Sequence, residues 1–115
     1  MHMKIAHRTI GPDVPPFIIA EMSGNHNQSL DRALEIVGAA AKAGAHALKL
    51  QTYTADTITL DISGGEFFIN DKQSLWKGCC LHDLYERAST PWDWHAPIME
   101  RARELGMICF STPFD

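Results

Sequence analysis

The sequence predicts an α/β fold in which parallel strands alternate with amphipathic helices, and three observations carry that expectation. Short apolar stretches at residues 17–21, 45–52 and 107–113 each run into polar side chains at their C-terminal ends. Apolar residues at helical spacing lie between them. The connections are also too long for hairpins, so the strands are joined by crossovers and run parallel, with the right-handed sense such crossovers take. This is the opening of a (β/α) repeat, which a barrel and a doubly wound sheet share.

Ahead of the first strand, Ile5, Arg8, Thr9 and Ile10 suit a small β-ribbon over residues 4–11, with Met1-His2-Met3 set aside as a cloning scar. Pro15-Pro16 then stops any helix from running on. The stretch from Phe17 to Glu21 is an unbroken apolar run, as expected of a strand buried on both faces. Leu30, Ala33, Leu34, Val37 and Ala41 line one face of the next helix, capped by Asn27 or Ser29 and ended by Gly44.

Residues 53–89 are far longer than the ~2 to 6 residues usual for a connection in a compact α/β domain. Within them, Leu81, Leu84, Tyr85 and Ala88 place a short helix over 80–88. Thr90-Pro91-Trp92-Asp93 reads as a second helix start with Thr90 as its cap, and that helix ends at Gly106. Pro97 should kink this helix or delay its regular part.

With 115 residues the chain is at most one ordinary domain. Ten Lys and Arg against fourteen Asp and Glu, with neither sign in a block, argue against nucleic acid or an anionic membrane as partner. No apolar run approaches the ~20 residues of a membrane span, and the N-terminus lacks a secretory pattern, so a cytoplasmic location is expected. Cys79, Cys80 and Cys109 form neither a disulfide framework nor a metal knuckle.

Chemistry is expected at the strand ends. Alternation turns Lys49 and Gln51 to the face opposite Leu48 and Leu50, so in a barrel they point at its C-terminal mouth. A lysine snorkelling from a strand end is the plainer alternative. Glu21 could be a general base, a hydroxyl acceptor or a metal ligand, or simply an ion-pair partner for Lys49. Ser111 and Thr112 fall on opposite faces, and whichever points inward suits a phosphate or carboxylate oxygen. Trp76 in the long connection is a candidate ligand contact, whereas Trp92 and Trp94 suit packing. The six histidines show no metal-ligand spacing, and a lone loop residue such as His26 is more often solvated or structural.

Ile19-Ala20-Glu21-Met22-Ser23-Gly24-Asn25-His26-Asn27, Lys49-Leu50-Gln51-Thr52 and Phe110-Ser111-Thr112-Pro113-Phe114 together resemble the sialic acid synthase family, in the family's order and along essentially the whole chain. Glu21-Met22-Ser23, Gly65-Glu66-Phe67-Phe68-Ile69, Leu75-Trp76-Lys77-Gly78 and Thr90-Pro91-Trp92 are similar to the branch that makes pseudaminic acid. Where Met22-Ser23 stand, the sialic acid branch usually has an isoleucine-glycine pair.

The resemblance implies the first three β/α units of a TIM (β/α)8 barrel, with the remaining strands and a C-terminal antifreeze-like domain lying elsewhere. It implies that the parent enzyme, a transferase, joins phosphoenolpyruvate to 2,4-diacetamido-2,4,6-trideoxy-L-altrose, releasing phosphate with C–O cleavage. It also implies a homodimeric parent and an Mn2+ or Mg2+ cofactor whose ligands lie outside this segment. Residue by residue, it implies that Glu21 is catalytic, that Lys49 and Thr112 hold phosphoenolpyruvate oxygens, that Gln51 sits beside the sugar aldehyde, and that Asn25 shapes the mouth. The segment alone is expected to be inactive. The alternatives are an N-acetylneuraminate or legionaminate synthase and, from another class, a non-catalytic α/β module that binds a partner or copies of itself.

Overall fold

The computed structural model describes residues 1–115 as a small antiparallel ribbon followed by a mixed α/β unit. The ribbon pairs β1 (Met3–Ile5) with β2 (Arg8–Ile10). Met3 belongs to that strand, opposite Ile10, and His2 lies 3.3 Å from Asp13.

A three-stranded parallel sheet follows, built from β3 (Ile19–Glu21), β4 (Ala47–Thr52) and β5 (Ile108–Pro113) in that order. Its register aligns Glu21 with Lys49, Lys49 with Phe110, and Gln51 with Thr112. Between β3 and β4 runs α1 (Leu30–Lys42), capped by Ser29, whose hydroxyl accepts from the Arg32 N–H. Gly44 ends it at φ +93°, a conformation that favours glycine.

Leu48 and Leu50 turn to the helix side and bury against Val37 and Ala33 of α1 and Ile98 and Ala102 of α4 (His95–Glu104). Met22 and Met107 close the ends of the same core. This agrees with the alternation read along β4. The first strand departs from expectation, because Ile18 and Ile19 are exposed and the strand is not buried on both faces. It stands at the edge of the sheet, where only β4 covers it.

The long connection between β4 and α4 carries more structure than its sequence suggested. Thr54 and Thr57 form a reciprocal capping box that starts α2 (Ala55–Ile58), which packs on α3 (Leu81–Ala88). Thr90 does not cap the next helix as expected. Its hydroxyl is taken by His26, and a 3-10 turn over Trp92–Trp94 leads into α4 instead. The turn also accounts for Pro97, which falls in the first turn of α4 where a backbone N–H has no intrahelical partner.

Candidate active site at the strand ends

The C-terminal edge of the sheet brings Glu21, Lys49, Gln51 and Thr112 to one face, because paired residues on neighbouring parallel strands point the same way. Lys49 Nζ lies 2.8 Å from Glu21 Oε1. The lysine side chain is about a quarter exposed and the carboxylate more than half, so the pair stands at the wet rim of the sheet and not in its core. The ion-pair reading of Glu21 is met in this contact, which holds the ammonium on the mouth side of the sheet.

Beside this pair lies an open cavity of about 600 Å³. Ser23, Asn25 and Asn27 of the β3–α1 loop form one wall, while Trp76, Tyr85 and Arg87 form the other. Gln51 and Tyr53 lie between the walls, so Gln51 links the cavity to Lys49 two residues before it on the same strand face. Tyr53 meets Tyr85 edge-on at 5.6 Å, and burial, reinforced by Tyr85, pushes its hydroxyl above the ordinary tyrosine value. It thus stays protonated at neutral pH. The Asn25 amide donates to the Met22 carbonyl at 2.8 Å, which fixes the loop's turn at the cavity mouth.

Ser111 is not brought to this face. It lies on the helix side of β5, where its hydroxyl sits 2.6 Å from Thr52 Oγ1, itself 2.7 Å from His95 Nε2. His95 Nδ1 faces the Trp92 carbonyl at 3.2 Å and must donate to it, so Nε2 accepts from Thr52 and Thr52 accepts from Ser111. The hydroxyl is consumed in tying β4 and β5 to the start of α4, and the expected role of Ser111 in binding substrate is corrected to a structural one. Thr112 is the inward residue of the two.

Several cavity residues were not singled out in the sequence. Tyr53 follows Gln51 by two and could have been found by extending the alternation of β4. Tyr85 was placed on the apolar stripe of its helix, and that stripe turns out to face the cavity. Nothing in the local pattern marked Arg87 or Cys79, whose side chains meet at 3.2 Å.

The residues present do not fit a catalytic cation. The one group of three close metal-capable side chains is His82, Asp83 and Glu86 on α3. At ~100° per residue, those positions lie on the opposite side of the helix from Leu84, Tyr85 and Ala88, which line the cavity. His82 Nε2 is also already 2.9 Å from Asp56.

A parallel α/β sheet with charged and amide side chains gathered at its C-terminal edge, beside a cavity, is the arrangement of an α/β enzyme whose chemistry sits at its strand ends. Residues 36–115 match the model of the NeuB family, and the chain belongs to that family. It is 50% identical over 102 residues to a pseudaminic acid synthase of Campylobacter jejuni, covering 89% of this chain and 29% of that protein. The pseudaminic acid synthase of Helicobacter pylori is 46% identical over 100 residues, covering 87% and 29%. Among solved structures, the N-acetylneuraminic acid synthetase of Leptospira borgpetersenii, in complex with citrate, superposes with a TM-score of 0.73 at 29% identity over 100% of this chain and 35% of its own. The chain thus spans about three tenths of the length of the curated relatives it matches.

Proposed function

We propose that the whole protein is a nonulosonic acid synthase that condenses phosphoenolpyruvate with 2,4-diacetamido-2,4,6-trideoxy-L-altrose to give pseudaminic acid and phosphate, and that this chain forms the first three strands of its barrel with the two helical connections between them. The observation that carries the proposal is the Lys49–Glu21 pair standing beside the cavity walled by Trp76 and Tyr85. A reaction between a small polyanion and a neutral acylamino sugar needs a cationic subsite and an amphipathic one side by side. The higher identity to pseudaminic acid synthases than to the N-acetylneuraminic acid synthetase supports the choice of acceptor.

In this reading Lys49 leaves Glu21 for the phosphoenolpyruvate oxygens, and Thr112, its neighbour on the same face, donates its hydroxyl to them. The ammonium then offsets charge as phosphate departs from C2. Glu21, released from its ion pair, accepts a hydrogen bond from a sugar hydroxyl or from the water that adds to C2 once C3 has attacked the open-chain aldehyde. Gln51 orients the aldehyde end, and Trp76 packs on the apolar face of the deoxyhexose. The Mn2+ or Mg2+ that the family resemblance implies would take its ligands from outside this chain, and no step is assigned to it. The homodimeric state of the parent belongs to the same proposal.

The test is phosphate release by the whole protein from phosphoenolpyruvate, with the altrose derivative or with N-acetylmannosamine as acceptor. Release dependent on the altrose derivative is expected. Equal turnover with N-acetylmannosamine overturns the assignment of the acceptor, and no release with any acylamino sugar overturns the synthase reading.

A further inference from the structure

The loop that carries one cavity wall is tied to the helix that carries the other, and the catalytic reading uses none of those ties. Gln28 Nε2 donates to the carbonyls of Arg87 at 2.8 Å and Ser89 at 2.6 Å, both at the C-terminal end of α3, where carbonyls lack intrahelical partners. Its backbone N–H donates to His26 Nδ1 at 3.1 Å. Nε2 of that ring therefore bears the proton and donates to Thr90 Oγ1 at 2.9 Å. His26 is fully buried, with its ring edge-on to Trp94 at 5.3 Å.

Two further features show how closely the walls are held. A Cβ placed on Gly24 would come within 3.0 Å of the Ala88 carbonyl oxygen and 3.2 Å of its Cβ, so the loop rests directly on α3. Ser23, Asn27 and Gln28 all adopt positive φ, at 51°, 49° and 58°. Non-glycine residues hold that conformation only where surrounding contacts enforce it. Among the regular elements the main packing partner of α3 is α2, and the Gln28 bonds join its C-terminal end to the β3–α1 loop.

We propose that Gln28, backed by His26, is a positioning residue that latches the β3–α1 loop to the end of α3 and so sets the spacing between the Asn25 and Tyr85 walls of the cavity. The proposal rests on assigning that cavity to the sugar acceptor. The latch acts on the acceptor and not on phosphoenolpyruvate, because Lys49 and Thr112 are carried by β4 and β5, which the latch does not touch.

Gln28 is exposed, so its replacement leaves the core intact. In the whole protein, Gln28→Ala should raise the acceptor KM about tenfold while kcat and the phosphoenolpyruvate KM stay within about twofold. Gln28→Lys, whose ammonium can donate to the same two carbonyls at the helix end, should return the acceptor KM to within about twofold of wild type. Hydrogen exchange supplies a readout that needs no substrate: backbone amides at 88–90 should exchange faster in Gln28→Ala, with those of β4 unchanged. Unaltered exchange, an unaltered acceptor KM, or a loss spread equally over both substrates and not rescued by lysine overturns the latch. If the wild-type protein turns over no acylamino sugar, the acceptor reading fails, and the exchange result alone then decides whether the latch exists.

Discussion

Replacing Lys49 by methionine separates the two readings of the Glu21–Lys49 contact. Methionine keeps the apolar stem within β4 and removes only the charge. The carboxylate partner is 56% exposed, which places the 2.8 Å pair among rim ion pairs, worth roughly 0 to 1 kcal/mol to stability. Thermal unfolding should therefore shift by only a few degrees. If the ammonium instead meets phosphoenolpyruvate in a site closed to water, the same change removes about 2 to 4 kcal/mol of transition-state stabilisation, or about 30- to 1,000-fold in kcat/KM. The assay is phosphate release under limiting phosphoenolpyruvate, alongside a melting curve of each variant. An active, normally folded Lys49→Met protein would refute the role in catalysis. A large fall in melting temperature with activity lost in proportion would mean that the pair is structural.

Trp76 is half exposed and should tolerate Trp76→Ala with little loss of stability, while the acceptor KM rises by the ~0.5 to 1.5 kcal/mol of a lost aromatic contact and the phosphoenolpyruvate KM holds; equal effects on both substrates would count against a sugar platform. Ser111→Ala and Thr112→Val should part company: the first lowers stability by about 1 kcal/mol with normal kinetics, and the second weakens phosphoenolpyruvate binding with normal stability, so a reversal of that pattern would undo the assignment of faces. The hydrogen bond that His82 donates to Asp56 raises the His82 pKa above its ordinary 6.5, against a smaller opposing effect of burial, with Asp61 and Glu86 adding to the rise. The stabilisation is thus complete below 6.5 and fades as pH climbs through the higher folded value, so the melting-temperature gap between wild type and His82→Gln should be wider at about pH 5.5 than at about pH 8.5. A gap that widens with pH would contradict the raised pKa.

What the sequence made legible was set by periodicity. Alternation along β4 separated Lys49 and Gln51 from Leu48 and Leu50, and helical spacing found α1 with Gly44 at its end and Ser29 as one of two candidate caps. Each such pattern is local, so the chain declares it without tertiary information. Thr90 shows where locality fails. Its sequence context is that of a helix cap, but its hydroxyl has two possible partners, and the imidazole of His26, 64 positions earlier, wins it. Burial of that imidazole lowers its pKa and keeps it neutral, so the ring can accept at one nitrogen and donate at the other. The exposure of β3 escapes the sequence for a related reason, since an apolar run reports that a strand wants cover on both faces but not whether these residues supply it.

The two faces of the sheet show the same division in energetic form. On the helix side, Leu48 and Leu50 are buried, and the one polar chain, Ser111 to Thr52 to His95, has its hydrogen bonds closed among protein atoms. On the other side, Glu21, Lys49, Gln51 and Thr112 share their face with Ile19 and Phe110, which stand 41% and 37% exposed. Large apolar side chains beneath a ring of polar strand ends are what the interior of a closed barrel presents, with packing below and chemistry at the mouth. The same residues that argue for a site therefore argue for further strands to wall it. The relatives' greater length allows for those strands, since this chain covers only 29% of the Campylobacter protein. Lys49 and Glu21 are about a quarter and more than half exposed here, and barrel closure would strip water from both. Loss of that water strengthens each charge's hold on its partner, and an incoming trianion would compete with Glu21 for Lys49 under those drier conditions.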